Sequence, residues 1–223
     1  MEHITEDAVT RYLRKTVRPQ TGHMLEMERY AKEHFIPIVQ QEAGCFLKVL
    51  SAIINPKRIL EMGTAIGYSA LLMAQATEAQ IVSIERDEEM YCMALENVAA
   101  CGMQNRICLL HGEVENEVRN LPGQFEFIYI DAAKGQSPVH FALALEKIAP
   151  NGVILTDNVL YRGMVAAEGD VGHKHRTIVT RLREFLEMLC TDERFDTAIL
   201  PIGDGMALTR VRNAGSLPAR RDV

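Results

Sequence analysis

The sequence predicts an α/β domain: a mostly parallel seven-stranded sheet that finishes in an antiparallel hairpin, with a helical cap ahead of it. Three observations point there. From about Pro56 onward, short apolar runs alternate with periodic stretches of helix length. That is the pattern of βαβ units whose sheet is covered on both faces. Gly203-Asp204-Gly205 separates the last two apolar runs and signals a tight turn between strands. Before Pro56 the patterns are helical only, broken by Pro19 and Pro37.

Cap helices are expected over residues 6–17, 25–34 and 42–54. Strands are expected over 58–62, 80–85, 106–111, 125–131 and 152–157, with helices over 69–76, 88–101, 114–120 and 137–148 between them. A helix over 176–190 then leads into the hairpin strands 198–202 and 206–211. The chain divides into a cap (1–55), a core (56–212) and a frayed tail (213–223), with cap and core forming one domain.

Composition narrows the function. A chain of 223 residues with 48% hydrophobic and 24% charged residues suits one soluble domain with a sizeable core. No apolar run approaches the ~20 residues a bilayer span needs, so no membrane partner is expected. The acidic start MEHITEDAVTRYLRKTV lacks the apolar centre of a signal peptide, which makes the cytoplasm the expected location. Cys45, Cys92, Cys101, Cys108 and Cys190 form no CxxC pair, so they read as reduced thiols rather than zinc ligands. A net charge of −6 excludes a protein that coats nucleic acid indiscriminately, though not a local basic patch.

The first core strand runs into Glu61-Met62-Gly63-Thr64-Ala65-Ile66-Gly67-Tyr68-Ser69. Small residues at a strand-to-helix turn let backbone approach a ligand at the carboxyl edge of the sheet. Ala65 occupies the middle glycine position of a dinucleotide-binding turn, which counts against a dehydrogenase cradling a pyrophosphate. Glu61 is better suited to a cationic sulfonium or amino group. Glu85, 18 residues beyond Gly67, closes the second strand where a carboxylate can accept from ribose hydroxyls. Strand-end capping is the plain alternative for either glutamate.

The fourth and fifth core strands end in Asp131 and in Asp157-Asn158. Parallel strands bring these ends to the same edge as Gly63. Three hard oxygen donors with room for water suit Mg²⁺. Lys134 follows within a turn, and beside a dication its ammonium form is disfavoured, so it can act as a general base. Each aspartate alone reads as a helix cap; the pair together with Asn158 and Lys134 reads as a metal site. The histidines, His140 among them, have no partner spacing that points to a ligand or a triad.

The strings ILEMGTAIGYSALLMA, IDAAKGQ and ILTDNVL, in this order and spacing, resemble the metal-dependent O-methyltransferases of the catechol and caffeoyl-CoA type. GTAIGYSA, DAAKGQ, TDNVL and TAILPIGDG are similar to the bacterial tRNA 5-hydroxyuridine methyltransferase branch. The resemblance implies a Rossmann-like S-adenosylmethionine (SAM) fold, commonly as a homodimer. It implies Mg²⁺ on Asp131, Asp157 and Asn158, with Lys134 catalytic. It also implies SAM contacts from Ile38, Gly63, Tyr68, Ser69, Glu85 and Glu113, with Glu61 and Asp131 beside them. Ala132-Ala133, where catechol enzymes carry bulkier residues, and the absence of tryptophan weigh against a catechol substrate.

Two basic groups offer phosphate contacts. Arg11, Arg14, Lys15 and Arg18 fall on one helical face, and Arg162, Lys174, Arg176, Arg181 and Arg183 follow the metal motif. A solvated face with ordinary ion pairs is the alternative reading of each. With the resemblance, the expected partner is tRNA, methylated at a wobble 5-hydroxyuridine to give 5-methoxyuridine. Arg162, Lys174 and Arg176 are the candidate substrate contacts. The other expected substrate is a small catechol or hydroxycinnamoyl compound.

Overall fold

The computed structural model describes residue 5 and residues 7–132, 134–169 and 171–212, without the side chains of Asp7 and Lys134. The expected tail lies outside them. Among the described residues, three helices precede the sheet: α1 (Asp7–Thr16), α2 (Gly22–Glu33) and α3 (Gln41–Ile54). The strands and helices then alternate as β1 (Arg58–Met62), α4 (Tyr68–Ala76), β2 (Gln80–Glu85), α5 (Glu88–Ala100), β3 (Ile107–His111), α6 (Val114–Asn120) and β4 (Phe125–Ile130). A short 3-10 turn, Lys134–Gln136, opens α7 (Ser137–Lys147). The chain closes with β5 (Ile148–Thr156), α8 (His173–Thr191), β6 (Phe195–Leu200) and β7 (Met206–Val211).

The sheet order is β3-β2-β1-β4-β5-β7-β6. Only β7 runs against its neighbours, pairing antiparallel with β5 and β6. The order reverses after β1, so β1 and β4 diverge into helices on opposite sides and leave a crevice at their carboxyl ends. Each sheet face buries its own apolar cluster. Ile59, Phe127, Tyr129 and Leu155 pack with Met24, Met27 and Leu47 of the cap and with Leu71. Leu60, Met62, Ile128 and Ile154 pack on the other face against Phe141 and Phe185. Alternation along the strands sends successive residues to opposite faces, and that sorting decides which strand-end side chains meet.

Several boundaries differ from expectation, most of all in the last third of the chain. β5 begins at Ile148, four residues early, because the strand carries Asn151 at φ +60° through what reads as a turn. Its ladder with β4 absorbs the irregularity as a register shift between Phe125 and Phe127. β6 begins at Phe195 and ends before Pro201, since Phe195 is buried against Phe141 and proline offers no N–H. α8 starts at His173. No described helix is long and apolar enough to cross a membrane.

Candidate active site

Backbone hydrogen bonds keep the strand ends in step. Gly63 N–H donates to Ile84 O at 3.0 Å, Asp131 N–H to Met62 O at 2.9 Å, and Asp157 N–H to Ile130 O at 2.9 Å. Gly63 is at φ +98°, and a Cβ there would sit 2.5 Å from the Asp131 carbonyl oxygen. Only glycine meets both demands. Ala65 holds φ +45° without being glycine, so its conformation is strained.

Glu85 holds that strained turn. Its Oε2 accepts from Thr64 N–H at 3.2 Å and Ala65 N–H at 2.8 Å. Its Oε1 accepts from the N–H groups of Arg86 and Asp87, both at 2.9 Å. A carboxylate has about four lone-pair sites, so Glu85 acts first as the clamp of the glycine turn. The cap braces the same turn: Tyr68 O–H donates to Glu28 of α2 at 2.5 Å, and His23 reaches Asn97, whose amide donates to Ile66 O.

The crevice opens as a cleft of about 920 Å³. Ile38, Gly63, Tyr68, Ser69, Glu85, Glu113 and Asp131 line it, together with Asp157, Asn158 and Arg162. Glu61 does not. It is fully buried beneath the turn, because residue 61 faces the cap side of β1. Its Oε2 accepts from Ser83 Oγ, which is 2.5 Å from Thr64 Oγ1, and its Oε1 is buried without a hydrogen bond. Burial first, and the Glu85 charge in addition, push its pKa up to about 7 against the pull of nearby serine hydroxyls. So the structure places Glu61 under the turn as an internal polar anchor, away from the expected ligand contact.

Asp131, Asp157 and Asn158 come together. The Asn158 side-chain amide donates to Asp131 Oδ1 at 2.7 Å, and the Asn158 backbone N–H to Asp157 Oδ1 at 2.6 Å. Tyr129 O–H donates to Asp157 Oδ2 at 2.8 Å and lies 3.5 Å from Asp131 Oδ2. Burial and the surrounding carboxylates hold the phenol proton on well beyond the ordinary tyrosine range. Among the described residues no group of three His, Cys, Asp or Glu side chains could hold a metal. The oxygen set here is two carboxylates and an amide, the hard-donor chemistry of Mg²⁺. The residues fit that ion. Lys134 opens the 3-10 turn directly after this cluster, and its side chain lies outside the described residues.

The remaining basic residues separate. Arg162 lines the cleft at φ +55°, its N–H bonded to Asp204 Oδ1. Lys174 and Arg176 are exposed on the first turn of α8 and do not line the cleft. Arg14 is committed to Glu42 and Gln40 at 2.8 and 2.7 Å, and Arg183 to the carbonyls of Val165 and Ala167 at 2.9 and 2.7 Å.

Several residues in or beneath the cleft carry no functional signal in the sequence. Tyr129 reads there as core. His140 reads as an ordinary helix residue, yet it lines the cleft 3% exposed, with Nε2 3.4 Å from Glu115 Oε1 and Nδ1 unbonded. Burial lowers its pKa, against the nearby charge of Glu115. Gly203 and Asp204 arrive from the hairpin, tied to the β5 loop by Val159 N–H to Gly205 O at 2.9 Å and Leu160 N–H to Asp204 O at 3.0 Å.

A family model described as O-methyltransferase matches residues 17–212. The chain belongs to that family. Among the O-methyltransferases, the caffeoyl-CoA O-methyltransferase of Populus kitakamiensis is 32% identical over 181 residues, 77% of either chain. The SAH-bound methyltransferase PaMTH1 of Podospora anserina superposes with a TM-score of 0.82 at 27% identity, over 93% of this chain and 95% of that one. The Bacillus cereus O-methyltransferase in complex with SAH gives 0.80 at 26% identity, over 92% and 97%.

Proposed function

We propose that this O-methyltransferase takes its methyl group from SAM and, with Mg²⁺, passes it to a small phenolic molecule carrying adjacent hydroxyls. One observation carries the reading: the Asp131, Asp157 and Asn158 oxygen set opens into the same cleft as the glycine turn. A cleft of about 920 Å³ suits a nucleoside-sized cofactor and one small substrate together. The caffeoyl-CoA relative supports a phenolic substrate.

When bound, the ion supplies a Lewis acid that lowers the substrate hydroxyl pKa, and the sulfonium supplies the methyl group. The chain does the holding. Asp131 and Asp157 bring the negative charge, and Tyr129 and the Asn158 N–H fix their orientation. Glu85 and Gly63 keep the cofactor turn open, and Ile38 walls the cleft opposite. Lys134 is assigned the substrate proton on the resemblance and on its position after Asp131.

A 5-hydroxyuridine in tRNA is the second reading, favoured by exposed Lys174 and Arg176 near the cleft loop. The commitment of Arg14 and Arg183 to the protein's own backbone and side chains weighs against it. Methyl transfer from SAM to a caffeoyl thioester and to hydroxylated tRNA, read by mass spectrometry with and without EDTA, tests the choice. Product on the phenol, lost in EDTA, is expected. Turnover on tRNA alone would overturn the small-molecule reading.

A further inference from the structure

Tyr129 stands two residues before Asp131 on β4, and alternation puts both on one face of the strand. Its partner across the ladder is Leu155, itself two residues before Asp157 on β5. The ring is fully buried, so no water competes for its hydroxyl. On the other side its register partner is Glu61 of β1, whose own partner on β2 is Ser83. A polar row, Tyr129, Glu61 and Ser83, therefore crosses three strands directly below the cleft. Tyr129 is the member of that row aimed at the oxygen set.

We propose that Tyr129 is the positioning residue of the divalent-cation site: its hydroxyl, bonded to Asp157 and facing Asp131, sets the spacing of the two carboxylates before the ion arrives. The inference rests on the proposed oxygen site and adds a residue to it. Tyr129 O–H occupies one lone pair of Asp157 Oδ2, and the Asn158 N–H occupies one of Oδ1. A hydroxyl donor whose oxygen lies 2.8 Å from one carboxylate and 3.5 Å from the other also offsets their mutual repulsion. Without it the pair relaxes apart, and the ion must pull it together at its own expense of affinity. Groups that orient metal ligands in this way are worth about 10- to 100-fold in metal affinity. A phenylalanine here keeps the ring and its packing while removing only the donor.

The test compares Mn²⁺ binding by wild type, Tyr129→Phe and Asp157→Ala, using the electron paramagnetic resonance of free Mn²⁺, with SAH affinity measured by calorimetry in parallel. Expected is a 10- to 100-fold weaker Mn²⁺ affinity in Tyr129→Phe with unchanged SAH affinity. In turnover, the Mg²⁺ concentration for half-maximal rate should rise by more than kcat falls, a split that general loosening of the core would not produce. Equal Mn²⁺ affinity in wild type and Tyr129→Phe overturns the inference and leaves the oxygen site standing. No Mn²⁺ binding by wild type, or binding that survives Asp157→Ala, overturns the oxygen site and the inference with it. Should the phenylalanine variant not fold, Tyr129→Met also lacks the donor and fills the space adaptably, and the same comparison decides.

Discussion

At the glycine end of the cleft, four backbone N–H groups converge on Glu85 and the turn follows its strand without a break. At the Arg162 end, three separate segments meet: Pro37–Gln40 from the cap, the loop after β5, and the hairpin turn at Gly203 and Asp204. There Asn158, Tyr161 and Arg162 all lie in the left-handed region, and the Arg162 N–H is bonded to Asp204, some forty positions away. One end is built within a single β1-α4-β2 unit and braced by the cap; the other draws its wall from three segments far apart in the chain. A site can thus keep its cofactor chemistry while its substrate wall changes.

Separating the two ends by mutation is the strongest way to break this contrast. Asp157→Ala should lower methyl transfer by on the order of 10³-fold, the several kcal/mol of a Lewis-acid contribution. SAH affinity should survive. Parallel loss of SAH binding in calorimetry would show that the ends are one unit.

Glu61→Gln sharpens the glycine end through pH. The Glu61 carboxyl titrates near 4.5 in the unfolded chain and near 7 when folded. Below pH 4.5 it is neutral in both states and costs nothing. Between 4.5 and about 7 only the unfolded chain loses its proton, so stability falls as pH rises, reaching a constant deficit of about 3 kcal/mol above that. Glu61→Gln should remove this slope in denaturant melts and exceed wild type at pH 8. An unchanged slope would contradict the burial argument.

Gly63→Ala should cost about 2 kcal/mol or more, from a left-handed φ and a Cβ crowding the Asp131 carbonyl; chemical denaturation measures it. At the other end, Arg162→Ala should raise the KM for a phenolic substrate roughly tenfold, the worth of one charged hydrogen bond. The double variant Lys174→Ala/Arg176→Ala should leave that KM within about twofold. The reverse ranking would move the substrate out of the cleft and onto α8. Smallest is Ala65→Gly, which relieves φ +45° and should stabilise by about 0.5–1 kcal/mol in the same melts.

The contrast also explains what could be read from the sequence. Residues 58–62, 80–85, 114–120 and 206–211 were legible to the residue, because apolar runs and breakers mark them locally. Asp131, Asp157 and Asn158 were legible as strand-end polar residues that a parallel sheet must gather on one edge. The role of Tyr129 was not, since an aromatic inside an apolar strand reads as packing until the register with β5 is known. Glu61 read as a ligand contact because sequence does not say which face of β1 lies under the turn. The insertion of β7 between β5 and β6 carried no signal either. It brings the hairpin turn to the cleft, and so Asp204 to the loop that presents Arg162.

The central claim is that two neighbouring strand ends share one ion beside the cofactor turn. A crystal grown with SAH and Mn²⁺, and its anomalous difference map, addresses it directly. The account predicts a single strong peak about 2.0–2.2 Å from oxygens of Asp131, Asp157 and Asn158. A peak bound elsewhere, or SAH seated in the cleft with those three side chains holding no ion at saturating Mn²⁺, would contradict it.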